Sequence, residues 1–128
     1  MRLLLDSHTL IWAVDEPTKL SATADAALQD PGNDLLVSAG SVWEIAIKVG
    51  LKKLTLSQAF RPWIEKAIAD LGASLLPINI EHADALVGLP MHHRDPFDRL
   101  LVAQAMIEKL LVVGADAQLD AYGITRLW

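Results

Sequence analysis

The sequence predicts an α/β fold, a sandwich of helices around a mostly parallel sheet, read as one domain over residues 1–128. Three observations carry this. Short, continuous apolar runs such as Arg2–Leu5 and Leu111–Val113 have the form of strands buried on both faces. Between such runs lie segments with helical spacing, for example Val42, Ile45, Ala46 and Val49 at i, i+3, i+4 and i+7. The chain also has the length of one ordinary domain, enough to bury a sizeable core without staples.

Arg2–Leu5 is the first strand, and a helix follows over about Ser7–Val14, with Pro17 in the loop after it. Ser21 is placed to cap a second helix reaching about Gln29, and Asp30-Pro31-Gly32-Asn33 is a turn cluster. Leu35–Ser38 reads as the second strand. Ser41–Val49 is helical and ends at Gly50, and Ser57 is expected to cap a helix that stops at Gly72. Leu75–Ile78 is a third strand and Ile80–Val87 a helix or turn, before a loop over Leu89–Arg94. Asp95-Pro96 opens the clearest helix, with Asp95 as N-cap and Pro96 at the first helical position. From Leu100 to Ile107 that helix is apolar on nearly every side, which predicts burial all round. Leu111–Val113 is the fourth strand, and Ile124–Leu127 a fifth at an edge.

Composition removes several function classes. There are no cysteines, so disulfides, thiolate metal sites and a cysteine nucleophile are excluded. That absence fits a cytoplasmic protein. No apolar run approaches the roughly 18 residues of a membrane span, and Asp6 and His8 interrupt the N-terminal leucines where a signal peptide would be unbroken. A net charge of −5 argues against passive nucleic-acid binding, an objection that weakens if several of the acids hold divalent cations. Hydrophobic residues make up 52% of the chain, which points to apolar surface at a subunit or partner interface.

The acids carry the chemistry. Ligands of open α/β sheets bind beyond the carboxyl ends of the strands, where strand order reverses. Asp6 follows the first strand and Asp116 the fourth, so the two meet on one rim if those strands are neighbours. Asp98 lies in the first turn of the apolar helix, and Glu44 inside another (VWEIAI), where a carboxylate is costly without a partner. Four converging acids must protonate or share cations, and an all-oxygen set suits Mg²⁺ or Mn²⁺. Metal-assisted attack of water on a phosphodiester is the chemistry that follows.

Each acid also has a plainer reading. Asp6 can cap the first helix, and Glu44 stands four residues before Lys48 in the orientation that favours a helix salt bridge. Asp98 suits the helix dipole, Asp116 can begin a turn, and Asp95 reads as a cap only. His92 and His93 read as loop residues, with substrate contact as the minority reading, and His8 as a packed polar residue or a neighbour of Asp6. Trp12, Trp43, Trp63 and Trp128 read as core or interface anchors, and Lys48, Lys52 and Lys53 as the one compact basic patch.

The blocks LLLDSHTLIW, SAGSVWEIAIKVGLKKL, HHRDPFDRLLVAQA and LVVGADAQLDAYG, in this order and spanning nearly the whole chain, resemble a PIN domain. They are especially similar to the VapC-like toxins of VapBC toxin–antitoxin modules. The resemblance implies a Rossmann-like three-layer α/β/α sandwich and an endoribonuclease dependent on Mg²⁺ or Mn²⁺. It also implies a homodimer and neutralisation by a small VapB-like antitoxin. The family's acids fall on Asp6, Glu44, Asp98 and Asp116, and its helix-opening aspartate on Asp95. Many relatives place Thr or Ser two residues before the last acid; here that position is Gly114.

Two other readings compete. A phosphatase of the haloacid dehalogenase type also starts from an Asp after the first strand, and Asp116 with Asp120 resembles its last acidic motif. It needs a second Asp where this chain has His8. A PIN-like fold kept for protein binding, with a weakened metal site, is the second. The helices bearing Trp12 and Trp43 are the expected antitoxin contact.

Overall fold

The computed structural model describes residues Met1–Trp128. Five strands, β1 (Arg2–Leu5), β2 (Asp34–Ser38), β3 (Ser74–Leu76), β4 (Leu111–Val113) and β5 (Arg126–Leu127), form one sheet in the order β3-β2-β1-β4-β5. Every neighbouring pair is parallel. Six α-helices connect them: α1 (Ser7–Asp15), α2 (Ala22–Gln29), α3 (Ala39–Gly50), α4 (Phe60–Leu71), α5 (Ile80–Val87) and α6 (Pro96–Glu108). Short 3₁₀ helices lie at Pro17–Lys19 and Ala117–Tyr122.

β1 is the centre of the sheet. Leu3, Leu4 and Leu5 are fully buried because both sheet faces are covered. Side chains alternate across a strand, so Leu3 and Leu5 face one layer and Leu4 the other. The first layer packs Leu10 of α1, Ala24 and Ala27 of α2, Ile45 of α3 and Trp63 and Ile64 of α4 against Leu35 and Val37 of β2. The second packs Leu101, Val102 and Ala105 of α6 against Leu4 and Val112. Each such leucine contributes roughly 1.5–3 kcal/mol by leaving water. The result is the three-layer α/β/α sandwich.

Local differences from expectation have physical causes. α3 begins at Ala39, not Ser41, because Ser38 at the end of β2 caps it, its hydroxyl accepting from Gly40 N at 3.0 Å. Ser57 does not cap α4, which starts at Phe60. Its hydroxyl and amide both donate to the Asp15 carboxylate, at 2.6 and 3.0 Å, and Trp63 Nε1 donates to the same group at 3.1 Å. Asp15 thus ties the connection before α4 to the end of α1. β3 is Ser74–Leu76 and not Leu75–Ile78, since its ladder with β2 ends at Leu76. α6 is buried over Leu101–Ala105 but exposes Met106 and Ile107 in its last turn. α5 is a full helix closed by a capping box in which Asn79 and His82 bond each other's backbone amides.

Topology places the site. β1 pairs with β2 on one side and β4 on the other, so the order reverses between β1 and β4. Leu5 lies opposite Val113, and Asp6 N donates to Val113 O at 3.1 Å. The segments leaving both strands therefore open on one crevice.

Candidate active site

Asp6, Asp98 and Asp116 line a single cavity of about 270 Å³ at this crevice, together with His8, Trp12 and Ala115. Asp6 comes from the end of β1, Asp116 from the segment after β4, and Asp98 from the first turn of α6. Asp6 also does what its plainer reading expects: Oδ1 accepts from Thr9 N at 2.7 Å and caps α1. Asp116 Oδ1 likewise accepts from Gln118 N at 2.9 Å. One oxygen of each carboxylate is anchored to backbone while the group faces the cavity. Capping and site are not alternatives here.

Asp95 caps α6, its Oδ1 accepting from Phe97 N and Asp98 N at 2.8 and 3.3 Å. Arg99, one residue after Asp98, donates to the carbonyls of Pro90 and Leu89 at 2.8 and 3.1 Å and so clamps the preceding loop. The segment from His93 to Arg99 is a single structural unit.

Glu44 is buried on α3 but lines an adjoining cavity of about 340 Å³, with Ser7, Lys48 and Lys53, that shares His8 and Trp12 with the first. Its two oxygens accept from Ser7 Oγ at 2.5 Å and Lys48 Nζ at 2.6 Å. The helix salt bridge with Lys48 is therefore present. Glu44 still acts electrostatically on the other acids, raising the pKa of both Asp6 and Asp98.

The carboxylates crowd one another. Burial pushes Asp98 up to about 6, helped by Asp95, Glu44 and Asp6 and opposed by His93. Asp6 is also raised, chiefly by burial, against the bonds from Thr9 and the charge of His8. At Asp116 burial acts upward, but the bonds from Gln118 and His93, with the Arg126 guanidinium, hold the carboxyl below its usual range.

Gly114 has a steric role. A Cβ built on it falls well inside contact distance of Asp6 Oδ2 and 3.0 Å from Asp6 Cγ. The Asp6 carboxylate occupies the space that a larger residue would need.

On sequence alone, His93 has substrate contact only as a minority alternative and no connection with the acids. It lies in the expected loop, yet its Nε2 is 2.8 Å from Asp116 Oδ2 and 3.2 Å from Asp98 Oδ2. The available signal was its place two residues before the N-cap that orients Asp98. One donor atom from each of His93, Asp98 and Asp116 lies within 4.8 Å of the others. His92 instead packs edge-on against Tyr122, and His8 is exposed at the mouth of both cavities, not packed inside. Of the tryptophans, Trp63 is core, Trp12 packs against Trp128 and His8, and Trp43 is 62% exposed on α3 beside Phe97.

A parallel α/β protein with acids gathered at its topological switch point is the class that fold and site define. The chain belongs to the PIN domain family, whose model matches residues 3–124. It is 29% identical over 121 residues to ribonuclease VapC22 of Mycobacterium tuberculosis, covering 94% of this chain and 91% of that one. The fold is similar to VapBC2 from Rickettsia felis bound to a DNA fragment from their promoter, at a TM-score of 0.75 and 11% identity, covering 98% of this chain and 97% of that chain. It is also similar to a toxin–antitoxin complex from Klebsiella pneumoniae, at a TM-score of 0.56 and 20% identity, covering 89% and 86%. The dehalogenase-type phosphatase is set aside by the family match, and the Asp120 carboxylate is engaged by the Arg126 guanidinium at 2.9 and 3.0 Å.

Proposed function

We propose that this chain is a divalent-metal-dependent endoribonuclease, the toxin half of a toxin–antitoxin pair. The carrying observation is the meeting of Asp6, Asp98 and Asp116 in one cavity at the β1/β4 switch point. The donor set fits Mg²⁺ or Mn²⁺. It is rich in hard carboxylate oxygens, and burial holds the Asp98 carboxyl up to about 6, a strain a cation would relieve. Asp6, Asp98 and Asp116 would hold the cation, with Glu44 contributing from α3. When bound, such a cation supplies a nucleophile at neutral pH and stabilises the departing oxygen of a phosphodiester. The protein's own groups fix the acids: Thr9 N and Gln118 N hold Asp6 and Asp116, and the α6 cap orients Asp98. Lys48 and Lys53, lining the adjoining cavity, offer positive charge to RNA phosphates beside the acids.

The test is cleavage of structured and unstructured RNAs by antitoxin-free protein with Mg²⁺, Mn²⁺ or EDTA. Metal-dependent cleavage should vanish in Asp6→Asn and Asp98→Asn, and equal cleavage by those variants refutes the site. Wild-type expression should arrest growth and the same variants should not.

The relative is named a ribonuclease, and the structural neighbours are toxin–antitoxin assemblies. Those names support a small VapB-like antitoxin as partner; the homodimer and the cytoplasmic setting are carried over from the family resemblance alone. No helix is long and apolar enough to cross a membrane. Exposed apolar side chains, among them Trp43, Ile80 and Val87, provide surface for such contacts. Trp43→Asp and Trp12→Asp should weaken antitoxin binding; unchanged affinity of both counts against the surface on α1 and α3. A protein-binding role without catalysis is favoured by one observation, the engagement of both Glu44 oxygens by Ser7 and Lys48. It expects no cleavage of any RNA.

A further inference from the structure

His93 touches two of the acids, and its hydrogen bonds define how. The amide of Asp95 donates to His93 Nδ1 at 3.1 Å. A backbone N–H can only donate, so Nδ1 presents a lone pair and the ring proton lies on Nε2. Nε2 is the atom that faces the site, 2.8 Å from Asp116 Oδ2 and 3.2 Å from Asp98 Oδ2. The imidazole therefore offers the acids a donor and no lone pair. To ligate a cation through Nε2 it would have to move its proton to Nδ1 and lose the hydrogen bond from the amide of Asp95, the residue that caps α6.

The backbone that carries the ring is also held. His93 N donates to the Tyr122 hydroxyl at 2.8 Å, and Arg99 donates to the same oxygen at 3.3 Å. Its side chain is only 12% exposed. A partly buried donor between two carboxylates, its ring fixed by the Asp95 amide and its backbone by Tyr122, sets their spacing and removes part of their repulsion.

We propose that His93 is a positioning residue whose Nε2–H bridges Asp98 and Asp116 and preorganises them for the cation, without itself being a ligand. The inference rests on the reading of the acids as a metal site. It joins the loop over residues 89–95 to the acids from both sides of the switch point, Asp98 on α6 and Asp116 after β4.

The test uses the full chain with Mn²⁺ as probe, without RNA. His93→Ala should weaken Mn²⁺ binding, read by titration calorimetry or electron paramagnetic resonance, by about 10–100-fold. His93→Gln, which restores an N–H donor, should recover much of it. Pulsed resonance on wild-type protein carrying ¹⁵N-histidine should show no directly bound imidazole nitrogen. A directly coordinated nitrogen, or wild-type affinity in His93→Ala, overturns the proposal. Ring ¹⁵N spectra of metal-free protein should show the Nε2–H tautomer, and the Nδ1–H tautomer overturns it equally. Asp98→Asn separates the two readings. If wild type and Asp98→Asn both fail to bind Mn²⁺, the metal-site reading fails and the preorganising role with it, while the ring spectra still decide the bridge. Should a His93 variant melt far below wild type, the ring spectra and the nitrogen coupling of wild type decide alone.

Discussion

Replacing Gly114 by alanine perturbs one atom pair and has a calculable result. The added Cβ would overlap Asp6 Oδ2 and stand 3.0 Å from Asp6 Cγ, so the whole carboxylate must turn. The backbone of Gly114 is not in the left-handed region, so the penalty is contact and not dihedral strain. Asp6 cannot turn freely, because its Oδ1 accepts the 2.7 Å bond that caps α1. Loss of such a cap costs about 1 kcal/mol, within a range of roughly 0.5–2. For a chain of this length each kcal/mol lowers Tm by roughly 3–6 °C. The displaced carboxylate should also weaken Mn²⁺ binding by at least about 10-fold, comparable with the loss of a group that orients a ligand. Circular dichroism melts in EDTA and a Mn²⁺ titration measure the two effects separately. A Gly114→Ala protein with wild-type Tm and wild-type Mn²⁺ affinity would refute the steric role. Gly114→Ser brings the same Cβ and should behave alike, whatever its hydroxyl adds.

Asp98 has a folded pKa of about 6 against an ordinary 3.8, so the metal-free native state takes up its proton before the unfolded chain does. Stability from this group is present below the unfolded value and is lost as pH rises through about 6. Metal-free Asp98→Asn should therefore melt above wild type at neutral pH and lose that advantage near pH 4, a trend that melts in EDTA across pH will show or deny. Asp15 behaves oppositely. Burial acts upward on it, but the bonds from Ser57 and Trp63 together hold it below the usual range, so its contribution is lost on acidification. Asp15→Ala leaves Trp63 Nε1 without its acceptor and should destabilise by about 1–3 kcal/mol in urea unfolding; a change within about 0.5 would count against the tie. Gly40→Ala drives a Cβ to 2.5 Å from Leu100 Cδ2 where α3 crosses α6, and overpacking of this kind costs about 1–3 kcal/mol. An unchanged melting temperature would show that Leu100 yields without penalty.

Much of this molecule was legible because its signals are local. The apolar run at Leu3–Leu5, the Asp95-Pro96 helix start and the Gly72 stop each follow from backbone chemistry within a few residues. Ser57 misled for the same reason. A serine ahead of an amphipathic helix looks like a cap, but a carboxylate 42 positions away took its hydroxyl. The exposure of Met106 and Ile107 was likewise hidden, since an all-round apolar pattern does not say which part of the helix the rest of the fold covers.

The candidate site divides along that line. Sequence alone supplied Asp6, Glu44, Asp98 and Asp116 as candidates, and strand logic placed Asp6 and Asp116 on a common rim. Only the tertiary structure put Asp98 into the same cavity and Glu44 into the next, its carboxylate held by Ser7 and Lys48. It alone brought His93 between Asp98 and Asp116, and gave Gly114 a reason, since a Cβ there would collide with Asp6. Capping and periodicity are short-range properties of one chain segment. Contacts across the β1/β4 crevice join residues up to 108 positions apart, as Asp6 and Gly114 are, and exist only once the sheet has assembled.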